Sequence, residues 1–159
     1  MKELSQIAST VRASTTLAID AMFKQMKADG IDVIGFGAGE PDFHTPDNIK
    51  EAGYAAIRDN FTCYTPTAGI LELRKAACIR LKEDCGLDYV PAQIVMASGA
   101  KHALYGALHA LVDPGDEVII PAPFWVTYFE MVRMLGAVPV IITAEESAGF
   151  KITPEQLAA

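Results

Sequence analysis

Hydrophobic positions in the first half of the chain recur at helical spacing. TTLAIDAMFKQMKADG predicts a helix that ends at Gly30, with Leu17, Ala21 and Lys24 on one side and Met22, Phe23 and Met26 beside it. The stretch HTPDNIKEAGYAAIRDN predicts a helix with Thr45 as its N-cap and Pro46 at its first position. A third helix is predicted for AGILELRKAACIRLKEDCG, where apolar residues repeat every three or four positions and Gly86 ends the run.

In the second half, short apolar runs alternate with helical patterns. The predicted strands are QIVMA (93–97), VIIP (118–121) and AVPVII (137–142), and the predicted helices are 100–111 and 124–135. This alternation predicts an α/β fold, a sheet with helical crossovers. The closing ITPEQLAA has the pattern of the first turn of a helix. Because a native protein rarely stops there, we expect a truncated or cleaved product.

Composition narrows the class of protein. The 159 residues suffice for one domain, and 51% hydrophobic with 21% charged residues indicates a globular chain. A net charge of −7 argues against nucleic acid as a partner, since a phosphate backbone needs a basic face. We find neither a secretory signal nor an apolar run long enough to span a bilayer, and therefore expect no membrane partner.

The cysteines and histidines suggest no disulfide framework and no metal site. Their positions are Cys63, Cys78, Cys85, His44, His102 and His109. The cysteine number is odd and no CxxC pair occurs, which favours a reducing, cytoplasmic compartment. The histidines lack partners at metal-ligand spacing, so we expect solvated or core side chains.

The stretch ASGAKHALYGAL, 97–108, follows a predicted strand and opens a predicted helix. The backbone N–H groups of Ser98, Gly99, Ala100 and Lys101 would point out of the helix end, where the helix dipole also favours an anion. Gly99 would let a ligand approach the backbone closely. The stretch therefore suits a phosphate monoester, although an ordinary strand-to-helix turn would look the same.

The stretch PAPFWVTYFEMV, 121–132, holds the single tryptophan of the chain. Trp125 follows a predicted strand on a loop stiffened by two prolines, and Tyr128 lies about one helical turn further on. An indole in this position is suited to stack on a flat ligand ring. The alternative is a core or interface aromatic.

Two further loops carry candidate contacts. In GFGAGEPDF, Glu40 and Asp42 could form a carboxylate pair, but turn formation and local capping are the stronger interpretation. Gly39 could bring a backbone group next to a substrate. In CYTPTAG, the phenol of Tyr64 could reach a phosphate or pack against the protein.

Four motifs in order, GAGEPDFHTP, YTPTAGILELRKA, SGAKHALYGAL and DPGDEVIIPAPFWVTYFEMV, resemble the amino-terminal portion of class I pyridoxal-phosphate aminotransferases. The resemblance is to bacterial aspartate aminotransferases of fold type I in particular. It implies an incomplete large domain of that fold, with a mainly parallel sheet flanked by helices. Residues 1–44 would form the amino-terminal arm and part of the small domain, and 45–159 the first part of the large, cofactor-binding domain.

The resemblance also implies roles for individual residues. Ser98, Gly99, Ala100 and Lys101 match the loop that receives the phosphate of pyridoxal 5′-phosphate. Trp125 matches the aromatic residue that stacks on the pyridine ring near the substrate. Gly39 matches a backbone contact to the substrate carboxylate, and Tyr64 matches the tyrosine that reaches the cofactor phosphate of the neighbouring subunit.

Lys101 does not match the family's Schiff-base lysine, which is expected beyond residue 159. The resemblance therefore places no catalytic residue in this chain, and we expect the chain alone to be inactive. The parent protein would be a homodimer that moves an amino group between an amino acid, aspartate or similar, and a 2-oxo acid. The alternatives are a carbon–sulfur lyase with the same cofactor, a non-catalytic folding or interface fragment, and a bare phosphate-binding module.

Overall fold

The computed structural model describes residues 4–37 and 39–159, which fall into two units. The first unit comprises the described residues up to Gly39 together with Leu104–Ala159. The second unit is Glu40–Ala103. The division into 1–44 and 45–159 that the family resemblance implies concerns the domains of the parent protein, and it stays a prediction.

The first unit contains two strands and most of the helices. Its elements are α1 (Gln6–Thr10), α2 (Thr15–Ala28), β1 (Glu117–Ala122), α6 (Val126–Met134), β2 (Val138–Thr143), a 3₁₀ turn (Glu146–Ala148) and α7 (Pro154–Ala158). The second unit contains α3 (Asp47–Arg58), α4 (Leu71–Cys85) and a 3₁₀ turn (Pro91–Gln93). Helix α5 (Ala100–Leu111) begins in the second unit and ends in the first.

The strands β1 and β2 are parallel and lie side by side, with Glu117 opposite Val138 and Ala122 opposite Thr143. Helix α6 connects them, as a parallel pair requires. Its Val132 is 2% exposed and packs with Ile120 of β1. The predicted α/β architecture with a parallel sheet is thereby confirmed.

The end of helix α4 follows a local sequence signal, and the start of helix α3 does not. Helix α4 ends at Gly86, whose φ of 70° is the left-handed conformation expected of a glycine C-cap. Helix α3 begins at Asp47 and its N-cap is Pro46, so the predictions of Thr45 as the cap and of Pro46 as the first helical residue are both wrong. The reason is that Pro46, with ψ of 143°, is still extended.

The strand predicted over 93–97 is absent. Gln93 belongs to a 3₁₀ turn, and Ile94 has extended dihedrals (φ −107°, ψ 129°). Within the described ranges the sheet consists of β1 and β2. Met96 instead donates its backbone N–H to the carbonyl of Ala68, 3.0 Å away. A strand needs a neighbouring strand for its hydrogen bonds, and here the segment has none among the described residues.

Candidate cofactor-binding site

The turn at residues 98–101 is open to a ligand. All four residues are exposed, and α5 begins at Ala100. Gly99 has a φ of 84°, which favours glycine, and a Cβ built there would meet no atom within 4 Å. The backbone therefore turns sharply into the helix, and nothing in its unit crowds the outer side of Gly99.

The amides of this turn differ from the sequence-based expectation. The Ser98 N–H donates to Nδ1 of His102, 3.2 Å away. The Gly99 N–H donates to the carbonyl of Ala97, 2.9 Å away. The prediction that both amides point freely out of the helix is therefore wrong, because nearby acceptors take them. An anion would meet the first turn of α5, from Ala100 onward, and the Ser98 hydroxyl.

Tyr64 lies in the same unit, on the loop that precedes α4. Its side chain is fully exposed, at 108% of the reference area. The loop is joined to the segment leading into the 98–101 turn by the hydrogen bond from Met96 to Ala68. A Cβ on Gly69 would come within 2.6 Å of Met96 Cγ, so the two segments touch where only glycine fits.

Arg74 stabilises this arrangement, although no pattern in the sequence marks it. Its Nε donates to the carbonyl of Gly69 at 3.1 Å, and its Nη1 donates to the carbonyl of Pro91 at 2.8 Å. The guanidinium thus links the Tyr64 loop to the segment that follows α4. A part-buried arginine with two backbone acceptors leaves no periodic signal in the sequence, since both carbonyls belong to loops.

Trp125 and Gly39 lie in the first unit. Trp125 is the N-cap of α6, three residues beyond the end of β1, and its side chain is 46% exposed. Because β1 and β2 are parallel, their carboxyl ends lie at one edge of the sheet, where ligands of α/β proteins commonly bind. Gly39 is exposed, and a Cβ there would meet no atom within 4 Å.

The first unit also contains an apolar cavity of about 590 Å³ between α6 and the segment after α1. Its lining includes Arg12, Tyr105, Phe124, Phe129, Glu130 and Met134. Glu130 is the acidic group of this set, and its Oε2 atom is buried without a hydrogen-bond partner among the described residues. The cavity is therefore mostly hydrophobic with one carboxylate in its wall.

The chemistry of the 98–101 turn fits a phosphate. It offers an open glycine, a helix N-terminus, a hydroxyl and the exposed side chain of Lys101, all of which favour an anion.

In the part of the chain that the structure describes, no cluster of His, Cys, Asp or Glu could hold a metal ion. Cys63, Cys78 and Cys85 are free thiols. None of the described helices has both the length and the apolar character that crossing a membrane requires.

Comparison with known proteins identifies relatives along the whole chain. Residues 31–159 match the family model described as aminotransferase class I and II. Over 158 residues the chain is 49% identical to aspartate aminotransferase of Bacillus sp. (strain YM-2), covering 99% of this chain and 40% of the relative. It is 50% identical over 159 residues to aspartate/prephenate aminotransferase of Cereibacter sphaeroides, covering 100% of this chain and 40% of the relative.

Solved structures show the same relationship. The structure of aspartate aminotransferase from Thermus thermophilus with maleate superimposes with a TM-score of 0.94 at 39% identity, covering 99% of this chain and 41% of that one. Aspartate aminotransferase from Rhizobium meliloti gives a TM-score of 0.91 at 41% identity, covering 99% of this chain and 39% of that one. The chain thus spans about 40% of the length of these curated relatives.

Proposed function

Because this chain belongs to the aminotransferase class I and II family, we propose that it forms the amino-terminal part of a pyridoxal-phosphate-dependent aminotransferase. The parent protein moves an amino group between an amino acid, aspartate or a similar one, and a 2-oxo acid. The observation that carries this proposal is the identity of about half of all positions, along the whole chain, with aspartate aminotransferases. The relatives give no support to the carbon–sulfur lyase alternative.

The proposed role of the 98–101 turn is to hold the cofactor phosphate. Helix α5 begins at Ala100, and its N-terminus would face the anion. The Ser98 hydroxyl adds a hydrogen-bond donor, and the Lys101 side chain adds a positive charge. Lys101 acts here as a neighbouring charge and not as a nucleophile. Holding the phosphate fixes one end of the cofactor, so that its ring is presented in one orientation.

The proposed role of Trp125 is to stack on the cofactor ring near the substrate, and that of Gly39 is to contact the substrate carboxylate through its backbone. Both residues have exposed surface, which such contacts need. When bound, the cofactor supplies an electron sink for charge that develops at the substrate α-carbon. The chain contributes binding and orientation, and the covalent lysine is expected in the part of the parent that follows residue 159.

We further propose that the parent is a cytoplasmic homodimer. In this proposal Tyr64 reaches the cofactor phosphate of the neighbouring subunit, and its complete exposure on its own chain supports that role. The three free cysteines support a reducing compartment. The protein partner proposed for the parent is therefore a second copy of itself.

The activity is tested by product analysis with the full-length parent. We expect aspartate plus a 2-oxo acid to give the exchanged pair of products, and only when pyridoxal 5′-phosphate is supplied. Release of a thiol from a cysteine thioether, without amino transfer, would favour the lyase instead. Mass spectrometry of the purified protein against its gene establishes that the tested chain is complete.

The same preparation tests the role of Trp125. We expect Trp125→Ala to weaken binding of pyridoxal 5′-phosphate about two- to tenfold, the effect of losing an aromatic stacking contact of about 0.5–1.5 kcal/mol. Phe150→Ala is the matched control, because Phe150 is an exposed aromatic of the same unit outside the proposed site. Titration of the cofactor absorbance measures both, and unchanged affinity in Trp125→Ala removes Trp125 from the site.

A further inference from the structure

We propose that His102 is a positioning residue for the phosphate-binding turn. Its imidazole accepts the Ser98 amide and thereby holds residues 98–101 in the shape that receives the cofactor phosphate. The inference rests on the proposed function, because the phosphate is that of the proposed cofactor. It assigns a role to a histidine whose sequence context predicts only a solvated or core side chain.

The hydrogen bond defines which atom of His102 matters. Nδ1 lies 3.2 Å from the Ser98 nitrogen and accepts a hydrogen bond from its N–H. A neutral imidazole that accepts at Nδ1 carries its own proton on Nε2. The required group is therefore an acceptor on the third residue of α5, which reaches back to the amide that precedes the helix.

This contact is one of three hydrogen bonds that hold the turn. The Gly99 N–H donates to the Ala97 carbonyl at 2.9 Å, and the Ala103 N–H donates to the Gly99 carbonyl at 3.2 Å. With the bond to His102, the turn is thus held at three points. Gly99 itself adds no side-chain restraint and has a φ of 84°. Without the imidazole, the residue before Gly99 loses its tie to the helix.

A turn held in its bound shape costs less to order when a ligand arrives. Glutamine or glutamate at the third helical position commonly plays a similar part, by accepting a backbone N–H at the start of its helix. In this chain an imidazole does so. The expected consequence is specific to the phosphate: the turn contacts that group, while the ring of the cofactor is held elsewhere.

The test compares two variants of the full-length parent. His102→Leu removes the acceptor, and His102→Gln supplies a carbonyl oxygen in its place. We expect His102→Leu to weaken pyridoxal 5′-phosphate binding about two- to tenfold, the effect of one hydrogen bond. We expect His102→Gln to bind it as wild type does, and pyridoxal, which lacks the phosphate, to bind all three proteins alike.

His109→Leu is the control, because it makes the same change on the same helix. His109 stacks on Tyr105, with ring centroids 5.9 Å apart, and lies near the other end of α5. We expect wild-type affinity for this variant. Binding is followed by titration of the cofactor absorbance, and circular dichroism establishes that each variant is folded.

Several results would overturn the assignment of His102. They are wild-type affinity in His102→Leu, equal weakening in His102→Gln, equal weakening in His109→Leu, and an equal loss of affinity for pyridoxal. A different result would overturn the proposed function: wild-type protein that fails to bind pyridoxal 5′-phosphate, or binds it no better than pyridoxal. The two failures are therefore distinguishable in one set of titrations.

Discussion

The carboxylate of Glu130 is mostly buried, and only one of its two oxygens faces a charged partner. Its Oε1 atom lies 3.7 Å from Nη1 of Arg133, and its side chain is 20% exposed. Its Oε2 atom is buried without a hydrogen-bond partner in the described residues. The Arg133 guanidinium also lies 5.8 Å from the ring centroid of Phe129. Among the described residues the carboxylate thus has one long ion pair, to Arg133, while its other oxygen is desolvated.

This arrangement predicts unequal effects of removing the two partners. We expect Arg133→Met to lower the free energy of unfolding by about 1–2 kcal/mol, because it leaves a mostly buried charge unpaired. We expect Glu130→Met to be neutral or stabilising, because it replaces that charge with an apolar side chain in an apolar wall. Melting temperatures of the full-length parent measure both, with the double variant as control. A greater loss in Glu130→Met than in Arg133→Met would contradict this account.

Single residues also mark where sequence reasoning succeeds and fails. Gly86 was predictable because a glycine that ends an apolar periodic run is a local signal. The acceptor for the Ser98 amide was not, because nothing in the residue order says which way an imidazole four positions away will turn. The open space beside Gly99 was predictable, and the directions of the Ser98 and Gly99 amides were not.

At the scale of elements, the start of α7 is the clearest case of a built-in cap. The Thr153 hydroxyl accepts the Gln156 N–H at 3.2 Å, and Gln156 Oε1 accepts the Thr153 N–H at 2.9 Å. Gln156 Nε2 also donates to the Thr143 carbonyl at the end of β2, at 3.0 Å. The cap therefore links α7 to the sheet.

Glu155 makes this cap dependent on pH. A hydrogen bond from its own backbone N–H, and then one from the Thr153 hydroxyl, lower the pKa of its carboxyl below the ordinary glutamate value. A lowered pKa in the folded state stabilises the fold above the unfolded pKa, and that contribution is lost as the pH falls through the folded pKa. We therefore expect the α7 cap to weaken in acid and to be insensitive to pH around neutrality.

The measurement is an NMR titration of the Glu155 carboxyl in the full-length parent. We expect a midpoint below that of glutamate in an unstructured peptide. Thr153→Ala should raise the midpoint toward that value by removing the second of the two donors, which makes it the control. A midpoint at or above the peptide value in the unchanged chain would show that the two hydrogen bonds do not form.

Helices and strands were predictable where the residues that determine them are neighbours in the sequence. Helices α2 and α3 show apolar periodicity and α4 ends at a glycine, while β1 and β2 are short apolar runs beside a helix. The segment 93–97 has the same apolar character as a strand, yet it pairs with no strand in the described residues. Pairing depends on a partner from elsewhere in the chain, which a local pattern does not contain.

At the scale of the whole molecule, the described chain buries few side chains. Those below the surface are Ile120, Met131, Val132, Ala137 and Ala144. Large apolar side chains such as Phe36, at 94%, and Ile34, at 79%, are exposed. This much exposed apolar surface is typical of a chain that packs against further protein.

We therefore expect the isolated 159-residue chain to self-associate and to show no amino transfer. Size-exclusion chromatography with light scattering, over a range of concentrations, measures the association, with the full-length parent as control. We expect the parent to give one defined species. A stable, well-folded monomer of the isolated chain, or turnover by it, would contradict the proposal that the chain is part of a larger enzyme.

The exposure of Tyr64 predicts that the specific activity of the parent enzyme depends on its own concentration. Its phenol is wholly exposed on the chain that bears it. If it completes the cofactor pocket of a second copy, each cofactor pocket is formed by residues of two subunits. Specific activity then falls on dilution, as pairs separate and each loses the neighbour's hydroxyl, and cellular concentration becomes a control on catalysis.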